Sequence, residues 1–142
     1  AMVGLGLENR LNALVGILSG GQRQALALVM ATINRPALLL LDEHTASLDP
    51  KTASTILELT EMLVNRENLT ALMVTHNMEL ALRYGNRLVM MHQGRIVLDL
   101  NHEQKSNLTI ADLVERFEMA SGERFADDSM LLVSKEDEAK HP

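Results

Sequence analysis

The feature that most constrains the fold is a run of apolar residues, 37–41, that ends abruptly at the acidic pair Asp42-Glu43. A short, continuous apolar run of this kind is typical of a strand buried on both faces of a parallel sheet. Residues 70–74 form a second apolar run, and a helical pattern separates the two. This alternation predicts the α/β class with a mostly parallel sheet.

Two helices are predicted beside these strands. The first extends from Ser19 to about Asn34 and ends before Pro36, because a residue that precedes proline avoids the helical conformation. It is apolar on nearly all sides, which is typical of a buried helix. The second has Asp49 as a plausible N-cap and Pro50 at its first position. Its predicted inner face consists of Ile56, Leu59, Met62 and Leu63.

After the second apolar run, the sequence predicts a short helix through Arg83, a β-hairpin and a terminal helix. Gln93-Gly94 separates two strand-like runs, 87–91 and 95–100, and is a hairpin turn signal. Thr109 and Asp112 are predicted to cap the terminal amphipathic helix. The inner face of that helix is predicted to comprise Ile110, Leu113, Val114 and Phe117.

Composition argues against several classes of function. The net charge is −6 and aromatic residues make up 2% of the chain, a poor composition for unaided nucleic-acid binding. The chain contains no cysteine, which excludes disulfides and thiolate metal sites, and no pair of histidines has the spacing of a zinc motif. Because no apolar run is long enough to cross a bilayer, we expect any membrane role to depend on a partner.

Ser19, Gly20, Gly21 and Gln22 form a candidate anion site at the start of the first helix. Free backbone N–H groups and the positive end of the helix dipole face whatever lies in front of them. The glycines allow a phosphate to approach the backbone, and Ser19 adds a hydroxyl donor. The same residues match an S-x-x-Q capping box, and taken alone the motif favours that structural interpretation.

A second candidate site is the acidic end of the first strand, where open α/β sheets bind their ligands. A carboxylate such as Asp42 can hold Mg²⁺ through water, and Glu43 can orient an attacking water. His76 follows the second strand, and at the same sheet edge its imidazole can hydrogen-bond a γ-phosphate. The alternatives are that the acids only mark the point where the strand reaches solvent, that His76 is structural and that Asp49 is only a cap.

In combination, and in this order, the motifs resemble those of ABC-type ATPases, in particular ABC transporter ATP-binding proteins. The matching motifs are the signature motif at residues 18–22, the Walker B strand at residues 38–42 with Glu43 as the catalytic glutamate, the D-loop at residues 47–49 and the switch histidine at His76. The resemblance extends from about Gly6 to Leu100 and implies a P-loop NTPase core.

The resemblance also implies cofactors, partners and roles. ATP and Mg²⁺ would lie between two ATPase subunits arranged head to tail, and transmembrane permease subunits would hold the pair at the cytoplasmic face of the cell membrane. Asp42 would hold Mg²⁺, and Glu43 and His76 would be catalytic. The residues that contact nucleotide or link the two sites would be Ser19, Gly20, Gly21, Gln22 and Asp49.

This chain departs from the family pattern because its 142 residues contain no G-x-x-x-x-G-K-[ST] P-loop. The resemblance therefore implies only the C-terminal part of the domain: a remnant of the helical subdomain in residues 1–18, core in 19–122 and an acidic, flexible tail in 123–142. We expect the isolated chain to be inactive, and we expect it to oligomerise because half a sheet exposes apolar surface and strand edges. The alternatives are a soluble ABC-type ATPase of DNA maintenance and a non-catalytic interaction fragment.

Overall fold

The computed structural model describes residues 5–122 and divides into two compact units, Ala1–Val74 and Thr75–Pro142. The first unit contains two 3₁₀ turns (Leu7–Asn9 and Val15–Ile17), helix α1 (Gly20–Thr32), strand β1 (Leu39–Asp42), helix α2 (Pro50–Glu67) and strand β2 (Ala71–Val74). The second contains helix α3 (Met78–Arg83), strands β3 (Arg87–His92) and β4 (Arg95–Asn101), and helices α4 (His102–Ser106) and α5 (Ile110–Ser121). The tail predicted over residues 123–142 lies outside the described residues.

Strands β1 and β2 form the predicted parallel pair, with Leu39 opposite Ala71 and Asp42 opposite Val74. The expectation that these strands are buried on both faces is wrong. In β1, Leu39 and Leu41 are buried, whereas Leu40 is 65% exposed. The reason is that α1 and α2 share one apolar core with Leu39 and Leu41, and no described residue of the first unit covers the opposite face.

The two helices of the first unit begin where their caps predict, but burial differs from the expectation on both. Helix α1 buries only one side, since Met30 is exposed, as is Ile33 at its C-terminal end. On α2, Ile56, Leu59 and Leu63 are buried as predicted, but Met62 is 43% exposed. At about 100° per residue, Met62 lies outside the arc that faces the core. Leu57 and Thr60 lie inside that arc and are buried instead.

The second unit has the predicted antiparallel hairpin of β3 and β4. Gln93 and Gly94 both have positive φ, at 47° and 75°, as a two-residue turn between twisted strands requires. Helix α5 begins at the predicted Thr109–Asp112 capping box and buries Leu113 and Phe117. The short α4 was not predicted. Its Lys105 is buried and donates from Nζ to the backbone oxygens of Ala81 and Tyr84, while burial lowers the pKa of the ammonium group.

The α/β class is therefore confirmed. Among residues 5–122 the strands form one parallel and one antiparallel pair. The predicted mostly parallel sheet of a P-loop NTPase core stays a prediction, because it needs more strands than these.

Candidate functional site

The start of α1 is closed by a reciprocal capping box. The Ser19 hydroxyl accepts from the backbone N–H of Gln22 at 3.2 Å, and Gln22 Oε1 accepts from the N–H of Ser19 at 3.0 Å. Gln22 Nε2 donates to the Leu5 carbonyl at 2.9 Å. Both ends of the Gln22 amide are therefore engaged within the protein. Ser19 is exposed and uses its oxygen as an acceptor, so its own O–H remains available as a donor to a ligand.

The two glycines of this turn have different surroundings. Gly20 is exposed, and an added Cβ would meet only Leu48 Cδ2, at an ordinary contact distance of 3.6 Å. Gly21 is buried, and an added Cβ would lie 2.2 Å from Thr52 Cγ2. The start of α1 thus packs against the start of α2 without room for a side chain at Gly21. Packing explains Gly21 but does not require glycine at Gly20.

The acidic pair follows directly from the strand register. Asp42 lies opposite Val74, and Glu43 continues the pairing by donating its N–H to the Val74 carbonyl at 3.0 Å. The two strands therefore end at the same edge of the sheet, and Asp42 and Glu43 are both exposed there. Glu43 has φ of 41°, a left-handed conformation that is uncommon for a residue other than glycine. Its carbonyl accepts from the N–H of Ala46 at 3.0 Å and so closes a tight turn.

His44 is a residue of this turn that the sequence analysis does not single out. Its Nε2 lies 3.1 Å from Thr60 Oγ1, and the Thr60 hydroxyl lies 2.8 Å from the Ile56 carbonyl, to which it donates. Because a hydroxyl has a single hydrogen, His44 Nε2 is the donor to Thr60. Desolvation by burial lowers the pKa of His44, which favours the neutral imidazole. The only sequence signal for this contact was the position of His44 next to Glu43.

Asp49 is the N-cap of α2, as predicted. Its Oδ1 accepts from the backbone N–H of Thr52 at 3.0 Å, and its carbonyl accepts from Ala53 at 2.8 Å. Hydrogen bonding by Thr52 lowers the pKa of Asp49. The preceding Leu48 is the residue that faces Gly20. The structure therefore brings the turn at residues 47–49 together with the start of α1 inside one unit.

His76 is exposed and lies in the second unit, two residues after Val74. It precedes Asn77, which caps α3 by accepting from the N–H of Leu80 at 3.0 Å. Its predicted position beside Asp42 and Glu43 stays a prediction.

Asp42 suits the magnesium role that the sequence suggests. Within residues 5–122, no group of three or more acidic or histidine side chains is placed to hold a metal ion. Magnesium bound to a nucleotide commonly takes only one or two protein carboxylates, with phosphate and water completing its shell. A single exposed carboxylate at the carboxyl end of a parallel strand fits that requirement.

Among residues 5–122, no helix is both long and apolar enough to cross a membrane.

The chain is similar to ATP-binding proteins of ABC transporters. The family model described as "ABC transporter" matches residues 1–46. The tyrosine transport ATP-binding protein of Clostridioides difficile is 51% identical over 118 residues, which cover 83% of this chain and 47% of that protein. An aliphatic sulfonates import ATP-binding protein of Agrobacterium fabrum is 44% identical over 103 residues, which cover 72% of this chain and 40% of that protein.

A third relative, a methionine import ATP-binding protein of Listeria innocua, is 38% identical over 110 residues. The alignment covers 74% of this chain and 32% of that relative. The chain thus spans less than half the length of each of these curated relatives.

Proposed function

The chain is homologous to the ATP-binding proteins of ABC transporters, and on that premise we propose that it is part of the ATP-hydrolysing subunit of a bacterial ABC transporter. The observation that carries the proposal is the parallel β1–β2 pair, which ends with Asp42 opposite Val74 and leaves the acids exposed at the carboxyl end of β1. Open α/β sheets bind their ligands at such ends. We assign residues 19–122 to the ATPase core and residues 1–18 to a remnant of the helical subdomain.

The acidic edge supplies the chemistry of hydrolysis in this proposal. Bound ATP supplies the phosphoryl group and Mg²⁺ neutralises charge on it. Asp42 holds the metal ion through water, and Glu43 accepts a hydrogen bond from the attacking water and orients it. His76 donates a hydrogen bond to the γ-phosphate. This role follows from the sequence position of His76, two residues after the end of β2.

The start of α1 faces a nucleotide held by a second ATPase subunit. The Ser19 hydroxyl and the backbone N–H groups near Gly20 donate to its terminal phosphate, and the open side of Gly20 admits that phosphate. Gln22 shapes this turn through its two hydrogen bonds. Asp49 directly follows Leu48, whose side chain faces Gly20. In this proposal Asp49 links the two nucleotide sites across the dimer.

Permease subunits in the cell membrane complete the assembly and place the ATPase on its cytoplasmic face. The three relatives are named for the transport of tyrosine, aliphatic sulfonates and methionine. The residues of the candidate site serve nucleotide chemistry, so we expect the partners to choose the transported molecule.

Supplying a P-loop in trans tests this function. The chain is co-expressed with a polypeptide carrying the P-loop half of an ABC-type ATPase domain, and phosphate release is measured with and without Mg²⁺. We expect Mg²⁺-dependent turnover by the co-purified pair and none by either part alone, with Ser19→Ala reducing it. Robust turnover by the 142-residue chain alone contradicts the proposal. Stimulation of a full-length relative without turnover in the pair indicates instead a non-catalytic interaction fragment.

The uncovered sheet face supports a second proposal, that the isolated chain forms homo-oligomers. Four apolar side chains are exposed on or next to these strands: Leu38 just before β1, Leu40 on β1, and Leu72 and Val74 on β2. Such apolar surface favours association. In sedimentation velocity, we expect the wild type to associate and Leu40→Glu to shift it toward monomer. Ile96→Glu is the matched control, because Ile96 is equally exposed but lies on β4. A monodisperse wild-type monomer contradicts this prediction.

A further inference from the structure

The turn that contains Glu43 is connected to helix α2 through the side chain of the next residue, His44. Glu43 adopts a left-handed conformation, and the backbone turns back through the hydrogen bond from Ala46. Immediately after it, His44 reaches α2 and contacts Thr60. A residue in a sparsely populated conformation persists only when its surroundings hold it there. The contact between His44 and Thr60 is one such support.

We infer that His44 is a positioning residue for Glu43: by donating Nε2–H to Thr60 Oγ1, it holds the Glu43 turn on α2 and so fixes the direction of the Glu43 carboxylate. This inference rests on the proposed function for its catalytic consequence. His44 itself touches neither nucleotide nor water in this scheme and acts only through Glu43.

The acceptor is well suited to this purpose because it is itself fixed. Thr60 is buried, and its hydroxyl is oriented by donating to the Ile56 carbonyl one helical turn earlier. Ile56 is fully buried in the core shared by α1, α2 and β1. The hydrogen bond thus connects the Glu43 turn to the buried core of the unit. Removing either partner leaves a polar group poorly paired in a partly buried site, which is unfavourable.

Nuclear magnetic resonance on the 142-residue chain tests the contact directly. Imidazole ¹⁵N shifts are expected to show that Nε2 of His44 carries the proton. His44→Leu and Thr60→Val remove the donor and the acceptor at similar volume, and each is expected to speed exchange of the Glu43 and Ala46 amides roughly five- to tenfold. His44→Gln, which can still donate, and Thr60→Ser, which keeps the hydroxyl, are the matched controls and are expected to retain slow exchange.

The catalytic consequence is measured in the chain paired with a P-loop half. His44→Leu and Thr60→Val are expected to lower kcat about tenfold, the scale of losing a supporting contact to a catalytic group, with KM for ATP unchanged. His44→Gln and Thr60→Ser are expected to restore kcat. The double variant is expected to lose no more than either single variant, because both remove the same hydrogen bond.

The two measurements separate this inference from the function it rests on. Turnover that requires Glu43 but is unchanged in His44→Leu overturns the positioning role and leaves the ATPase assignment standing. An unprotonated Nε2, or amide exchange at Glu43 unaffected by both replacements, overturns it regardless of activity. If the chain paired with a P-loop half shows no turnover, but His44→Leu and Thr60→Val still speed amide exchange at Glu43, only the proposed function is refuted.

Discussion

Glu43→Gln is expected to lower ATP turnover roughly 10²- to 10⁴-fold in the chain paired with a P-loop half, while nucleotide binding is retained. Glutamine has the size of glutamate, but its neutral amide is a much weaker acceptor for a proton of the attacking water. The effect falls on the chemical step, so single-turnover phosphate release is the measurement that isolates it, with nucleotide affinity measured separately.

The Glu43→Gln replacement is expected to leave the fold unchanged. Glu43 is exposed, and glutamine keeps both the size of the side chain and the backbone N–H and carbonyl that close the turn. The thermal midpoint is therefore expected to stay unchanged. Glu61→Gln removes a charge from another exposed glutamate, on α2, and is expected to keep full turnover. Equal turnover in wild type and Glu43→Gln would contradict the catalytic role of the acidic edge.

Gly21→Ala is expected to destabilise the chain by about 1–3 kcal/mol, whereas the neighbouring Gly20→Ala is expected to be neutral or stabilising by up to about 1 kcal/mol. The methyl group at Gly21 would lie 2.2 Å from Thr52 Cγ2, so Thr52 must rotate or α1 must move away from α2. At Gly20 the nearest atom is at 3.6 Å, and alanine favours the helix. Urea unfolding measures both changes.

A second-site replacement tests the steric explanation. Thr52→Ser deletes the Cγ2 methyl that Gly21→Ala would strike and keeps the backbone N–H that caps onto Asp49. In combination with Gly21→Ala it is expected to recover most of the lost stability, a non-additive effect typical of residues in contact. Equal unfolding midpoints for Gly20→Ala and Gly21→Ala would show that the close packing is absent.

The same pair of glycines separates folding from ligand binding. Gly20→Ala is expected to leave the chain folded but to reduce turnover of the paired chain, because its methyl occupies the open side of the turn that the proposal gives to a phosphate. A loss of turnover without a loss of stability is thus the expected result for Gly20→Ala.

The boundaries of the main elements were predictable because their signals are local. Ser19 with Gln22, Asp49 with Pro50, and Gln93 with Gly94 each specify a cap or a turn through residues three or fewer positions apart. Short-range hydrogen bonds and φ preferences need no tertiary contact. The acidic end of β1 was predictable for the same reason, since an apolar run followed by two carboxylates marks where a strand meets water.

Which side chains are buried, and which contacts hold the candidate site in place, depend instead on residues that are distant in the sequence. The exposed face of β1 and the exposed Met62 reflect which surfaces are covered, which no local pattern records. The approach of Gly21 to Thr52 and the contact of His44 with Thr60 join residues 31 and 16 positions apart. Local chain chemistry was thus enough to place the helices, strands and acids, whereas the packing of α2 against its neighbours set what each side chain touches, because close packing is a property of several segments at once.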